Sequence, residues 1–188
     1  VTTALEREQP SPVAQWAAAI VTVVIAALLA IGLPRLAAAN APQDTALVGG
    51  ERITAGGVSI VPAEGWARAA GTDLMVISKG DAKLVIPPPQ PSDQTPEEAV
   101  AAAEQLATAD QSITSTIGEV TPFTTSEGLA AASVAVVQPD FVTVLYAFSD
   151  GASLSNGTLF LTPVTWSDLQ AEIDTMTATV GFEQGATP

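Results

Sequence analysis

The stretch LMVISKGDAKLVIPPPQPSDQTPEEAV, residues 74–100, decides the fold. Two apolar runs, Leu74–Ser78 and Ala82–Ile86, stand on either side of Lys79-Gly80-Asp81. Gly and Asp tolerate the positive φ that a tight turn needs, so this pattern predicts a β-hairpin. The PPPQP run, Pro87–Pro91, then breaks the second strand. Thr95-Pro96-Glu97-Glu98 follows as a helix start. Thr serves as N-cap, Pro takes the first helical position, and Glu98 completes a capping box three residues after the cap. The helix is predicted to run to about Ala109, with Val100, Ala103, Leu106 and Ala107 on one face.

Working outward, GGVSIVPAEGW predicts a short strand at Val58–Val61 and a turn at Pro62–Gly65. Downstream, strands are predicted at Ile113–Ile117, Pro122–Ser126, Leu129–Val137, Phe141–Phe148 and Thr158–Thr162. Asp150-Gly151 and Asn156-Gly157 read as turn dipeptides between the last two. Ser167–Gln170 reads as a second capping signal, ahead of Leu169, Ile173, Met176 and Val180 at helical spacing, with Gly181 as the stop. Strands, helix, strands, helix is the order of an α+β fold: an antiparallel sheet flanked by helices.

Further upstream lies Val13–Leu33, VAQWAAAIVTVVIAALLAIGL, without a single charge. As a helix it spans roughly 31 Å, about the thickness of a bilayer core. We expect one transmembrane helix over 13–35, after a polar tail at 1–12. A linker at 36–50, an α+β domain at 51–183 and a tail at 184–188 complete the expected organisation. Ala39-Asn40-Ala41 has the small-x-small pattern of a cleavage site, but the apolar run exceeds a usual signal core and Pro42 would follow the cut. An uncleaved anchor is the expectation. Arg7 precedes the helix while Arg35 and Arg52 follow it, so charge bias does not favour an inside N-terminus. The layout nonetheless resembles an export signal retained as an anchor, which implies a cytoplasmic N-terminus and an outside domain. Small residues let membrane helices approach closely, which makes Ala19, Ala26, Ala27 and Ala30 the candidate contacts with a partner helix.

Composition excludes more chemistry than it suggests. Of 188 residues none is Cys and none is His. That removes disulfides, thiolate nucleophiles, His-based acid/base pairs, the usual haem ligand and most zinc or copper sites. From Glu51 onward 17 acidic residues face only Arg52, Arg68, Lys79 and Lys83. Such a surface repels phosphate backbones, so nucleic acid is not expected as a partner. It would attract a basic protein surface or cations, with solubility alone the other reading. There is no G-x-S-x-G elbow, no S-x-x-K and no phosphate-binding G-x-x-x-x-G-K-[ST]. Asp150–Gly157 lacks the alternating ligands and terminal Glu of a calcium loop, so a hairpin turn is the better reading. Glu97 and Glu98 diverge around the helix, and capping explains them. Asn156-Gly157-Thr158 fits a glycosylation sequon. Trp66 and Trp166 read as core or half-buried packing residues, with ligand stacking or interface anchoring the other readings.

Val58-Ser59-Ile60-Val61-Pro62-x-x-Gly65-Trp66 resembles the opening strand and turn of the PsbP-like family. The capped helix at Pro96, the Tyr146-Ala147-Phe148-x-Asp150-Gly151 segment and the ending Val180-Gly181-Phe182 are similar too. The resemblance covers about residues 56–183 and implies an α/β/α sandwich, often in non-catalytic exported proteins. The Ala/Thr/Val-rich, lysine-poor composition also resembles exported proteins of high-GC Gram-positive bacteria. There, small single-pass proteins with an outside domain occur as accessory subunits of the respiratory cytochrome bc–oxidase supercomplex. The resulting expectation is a non-catalytic accessory subunit, with no catalytic, metal or cofactor-binding residues. Its expected partners are integral membrane subunits, membrane lipid and a basic extracytoplasmic surface. The alternative is an anchored domain that holds a small ligand or lipid in a pocket under the sheet.

Overall fold

The computed structural model describes residues 45–47, 49–109 and 114–183. The Val13–Leu33 span lies outside them. Among the described residues no helix is long and apolar enough to cross a membrane.

The strands are β1 (Thr45–Ala46), β2 (Ile53–Ala55), β3 (Val58–Ile60), β4 (Ala67–Arg68), β5 (Met75–Lys79), β6 (Ala82–Ile86) and β7 (Gln90–Pro91). Helix α1 (Pro96–Ala107) follows, then β8 (Thr116–Ile117), β9 (Thr121–Thr124), β10 (Ala130–Val137), β11 (Val142–Ser149) and β12 (Ser153–Leu161). Helix α2 (Pro163–Thr177) and β13 (Gly181–Phe182) complete the chain. The main sheet is antiparallel throughout, in the order β1-β4-β5-β6-β12-β11-β10-β8. β7 extends the β6 side of β12, and β9 extends the β8 side of β10. A second sheet, β2-β3-β13, is separate. β1 lies within the stretch that reads as linker.

The hairpin at the centre of the sequence reading is present. Lys79 pairs with Ala82 across a Gly80-Asp81 turn, and Gly80 takes a φ of 62°. The capping box of α1 is complete: the Glu98 N–H donates to Thr95 Oγ1 at 3.3 Å, and the Thr95 N–H donates to Glu98 Oε2 at 3.0 Å. The helix stops at Ala107, two residues early, with Thr108 as C-cap. Ala99 joins Val100 and Ala103 on the buried face, while Leu106 and Ala107 are only half-buried.

Three expectations need correction. Asn156-Gly157 is not a turn but lies inside β12, which begins five residues earlier than expected. Gly157 is there to make room rather than to bend: a Cβ on it would meet Tyr146 Cβ at 3.3 Å and Ile86 Cγ1 at 3.4 Å. The turn is made entirely at Asp150–Ala152, where Asp150 Oδ1 accepts from the N–H groups of Ala152 (2.9 Å) and Ser153 (2.7 Å).

The second helix starts at Pro163, not at Ser167, and ends at Thr177 with Ala178 as C-cap. Gly181 is therefore no helix stop but sits in β13. Thr162-Pro163 repeats the Thr95-Pro96 device, but its third helical position is Thr165 rather than Glu. The missing carboxylate comes from the hairpin turn. Asp81 accepts from the Thr162 N–H at 2.9 Å and from the Thr165 hydroxyl at 2.6 Å. A carboxylate at a helix N-terminus satisfies orphan donors and suits the helix dipole.

The strand expected at Ile113–Ile117 is described only as Thr116–Ile117, since residues 110–113 are outside the description.

All eight residues of β11 are buried, so this strand is covered on both faces. On one face, Leu145 and Ala147 join Ala132, Val134, Val136 and Leu154 under Ala99, Val100 and Ala103 of α1. On the other, Val142, Val144, Tyr146 and Phe148 join Ile77, Leu84, Ile86 and Leu159 under α2 and the small sheet. The result is an α/β/α sandwich. Each large apolar side chain fully buried this way stabilises the fold by roughly 1.5–3 kcal/mol.

Candidate functional site

Trp166, Gln170, Asp174 and Thr177 recur on α2 at spacings of four, four and three, so they share one helix face. This face overlooks β10 and β11 beside the buried stripe of Ile173 and Met176. Between helix and sheet is a cavity of about 400 Å³. Val144 and Tyr146 of β11 and Ser133 and Ala135 of β10 form its floor. Phe123 closes one side, and Glu119 and Thr121 lie at the rim with Gln170 and Asp174. Small residues open it: Ser133 stands directly opposite Tyr146 across the β10–β11 ladder, and Gly157 stands opposite it on β12.

Tyr146 is held rigidly. Its ring stacks on Phe148 at 6.0 Å, and Phe123 meets Phe148 edge-on at 6.2 Å. Only 3% of the residue is exposed, yet its hydroxyl has no hydrogen-bond partner among the described residues. Burial pushes the phenol above its ordinary 10.0; the Asp174 carboxylate adds to the rise and the Thr177 hydroxyl offsets part of it. Thr177 donates its own proton to the Ile173 carbonyl at 2.9 Å. Asp174 is itself raised above the ordinary 3.8, because the cavity wall partly desolvates it. The lining holds two carboxylates, a phenol, an amide and several hydroxyls, and neither Lys nor Arg. Such a set binds a donor-rich group more readily than an anion.

A second polar cluster serves to fasten the domain. Glu172, on the other side of α2, receives Lys79 Nζ at 2.8 and 3.0 Å and the Trp66 indole N–H at 2.6 Å. Burial alone would raise this carboxyl, but the Lys79 and Trp66 hydrogen bonds and the Lys79 charge bring it below the ordinary 4.5. Arg52 joins Glu127 at 2.6 Å, Ser59 Oγ at 2.9 Å and the Thr179 carbonyl at 3.2 Å, which ties the small sheet to the end of α2.

Ala19, Ala26, Ala27 and Ala30 lie outside the described residues. Glu97 and Glu98 stand in the first turn of α1, Glu98 within the capping box. Trp66 is fully buried, and Trp166 is half-buried on the cavity wall. Asn156 is half-buried within β12, and its Oδ1 finds no partner among the described residues. Tyr146, Ser133, Gln170 and Asp174 were not expected as site residues. The legible signal was the four-residue recurrence Trp166–Gln170–Asp174 beside the apolar stripe, together with the only tyrosine of the chain inside an apolar strand.

No family model matches the chain, and no curated protein matches it by sequence. Among solved structures it is similar to the solution structure of cyanobacterial PsbP (CyanoP) from Synechocystis sp. PCC 6803. The two align with a TM-score of 0.51 and 13% identity, over 71% of this chain and 92% of that one. The fold is PsbP-like. At this identity the likeness is one of architecture, and function is not transferred by architecture. The PsbP-like sandwich places the cavity between its sheet and its last helix.

Proposed function

We propose that the chain is a non-catalytic, single-pass accessory subunit of a larger membrane complex, with its PsbP-like domain outside the membrane. The specific assembly we infer is a respiratory electron-transport supercomplex, whose assembly or stability the subunit supports. The observation that carries this reading is the uncompensated acidity of the domain. Of its four cationic side chains, Arg52 and Lys79 are engaged by Glu127 and Glu172. No other ion pair forms among the described residues, so most carboxylates face outward without a cation. This surface suits a partner of opposite charge. The exposed Phe141 beside Asp140, and Ile117 close to Glu119, add apolar contact points within the same acidic frame.

The test is purification in mild detergent through a tag on the C-terminal tail, followed by mass spectrometry and a visible spectrum. Near-stoichiometric membrane subunits and haem bands are expected, since this chain has no haem ligand of the usual kind. Recovery of the chain alone, colourless and monodisperse, would overturn the reading. A second reading, an anchored ligand-binding domain, is favoured by the cavity beneath α2.

A further inference from the structure

The ligand class follows from that second reading. The cavity lies in the size range of small-molecule sites, which is roughly 300–1,000 Å³. Its floor and walls are apolar or aromatic at Val144, Ala135, Phe123 and Trp166. The Tyr146 hydroxyl on its floor is buried and unpartnered, and a buried polar group without a partner costs about 1–3 kcal/mol. Among the described residues no side chain donates to this oxygen: Thr177 lies near it but gives its proton to main-chain carbonyls. A bound donor can, once the side chains that cover the oxygen make way for it. Asp174 and Glu119 line the cavity toward its mouth, and no lining residue is cationic.

We propose that this cavity binds a small organic ammonium with an apolar body. Its N–H donors meet the Tyr146 oxygen and the Asp174 carboxylate, and its body lies between Trp166, Phe123 and Val144. An ammonium fits better than a neutral alcohol because it is attracted by two carboxylates and by the aromatic faces. A carboxylate of the same shape is repelled by both acids and finds no counter-charge.

The test uses three probes of matched shape on the full chain in non-ionic detergent: 2-phenylethylammonium, 2-phenylethanol and 3-phenylpropanoate, with detergent alone as blank. Titration calorimetry is expected to rank them in that order. Asp174→Asn is expected to weaken the ammonium by about tenfold and to leave the alcohol nearly unchanged, because it removes the charge and keeps the shape. Ala135→Leu, which fills the cavity without touching a polar group, is expected to abolish binding of both. Thermal melting checks that each variant is folded. If 3-phenylpropanoate binds best, the ammonium assignment is wrong while the ligand-binding reading stands. If no probe binds the folded wild-type chain, both fall.

Discussion

The two faces of the main sheet are built from alternate residues of the same strands, yet they end differently. Toward α1, Ala132 and Ala147 join Ala99 and Ala103 in one cluster, with Val134, Leu145 and Leu154 packed among them. Toward α2, the large Tyr146 and Phe148 stand beside Ser133, Ala135 and Gly157, and the helix rests on the tall residues. The small ones leave the cavity. Alanines on both the helix and the sheet let α1 settle close, whereas tall aromatics beside small residues hold α2 off locally.

Truncation on the closed face should have the largest effect. Leu145→Ala is expected to destabilise the domain by about 2–5 kcal/mol in denaturant unfolding, because it removes a buried side chain from the cluster under α1. Enlargement should then separate the faces by sign. Ala147→Leu overpacks the closed face and is expected to cost about 1–3 kcal/mol. Ala135→Leu enters the cavity and is expected to be neutral, or to stabilise by about 0.5–2 kcal/mol. Equal losses for the two would contradict the account of the cavity.

The helices can be compared in the same way. Thr95→Ala removes one arm of a reciprocal box and is expected to cost about 1 kcal/mol. Thr162→Ala is expected to cost less, because Asp81 still accepts from the N–H of residue 162 and from the Thr165 hydroxyl. Thermal melts of the two variants side by side would show the order.

The smallest effects should appear with pH, and with opposite signs. Glu172 has a lowered carboxyl, so its stabilisation is present at neutral pH and is lost as pH falls below about the ordinary 4.5. Lys79→Met is expected to remove that part of the acid sensitivity. Asp174 is raised, so its ionisation opposes folding above the ordinary 3.8, and the cost disappears at lower pH. Asp174→Asn is therefore expected to stabilise slightly at pH 7 and to make little difference below that range. Melting curves of both variants across pH 3–7 would test the signs.

Local chemistry was the part legible in the sequence. The Gly80-Asp81 hairpin and the Thr95–Glu98 box are decided within four residues, and both appear as read. Helix α2 was misplaced by four residues because Thr162-Pro163 has no Glu at the third helical position; the carboxylate is Asp81, which acts on Thr162 and Thr165 from 81 and 84 positions away. The Ser167–Gln170 pattern matched a box but fell within a helix already started. Asn156-Gly157 was misread because a turn dipeptide and a glycine that clears space for Tyr146 look alike in sequence. The cavity itself depends on which residues stand opposite one another across β10, β11 and β12. That register is not written in any single segment.

The central claim is that the α2 face is open to a ligand and the α1 face is not. The chain has one tyrosine, so selective ¹³Cζ labelling gives a single resonance that reports on the cavity floor. Titration of the full chain with 2-phenylethylammonium should move this Tyr146 resonance progressively, while the methyl signals of Leu145 on the opposite face stay in place. An unmoved Tyr146 resonance, or equal movement on both faces, would contradict the account.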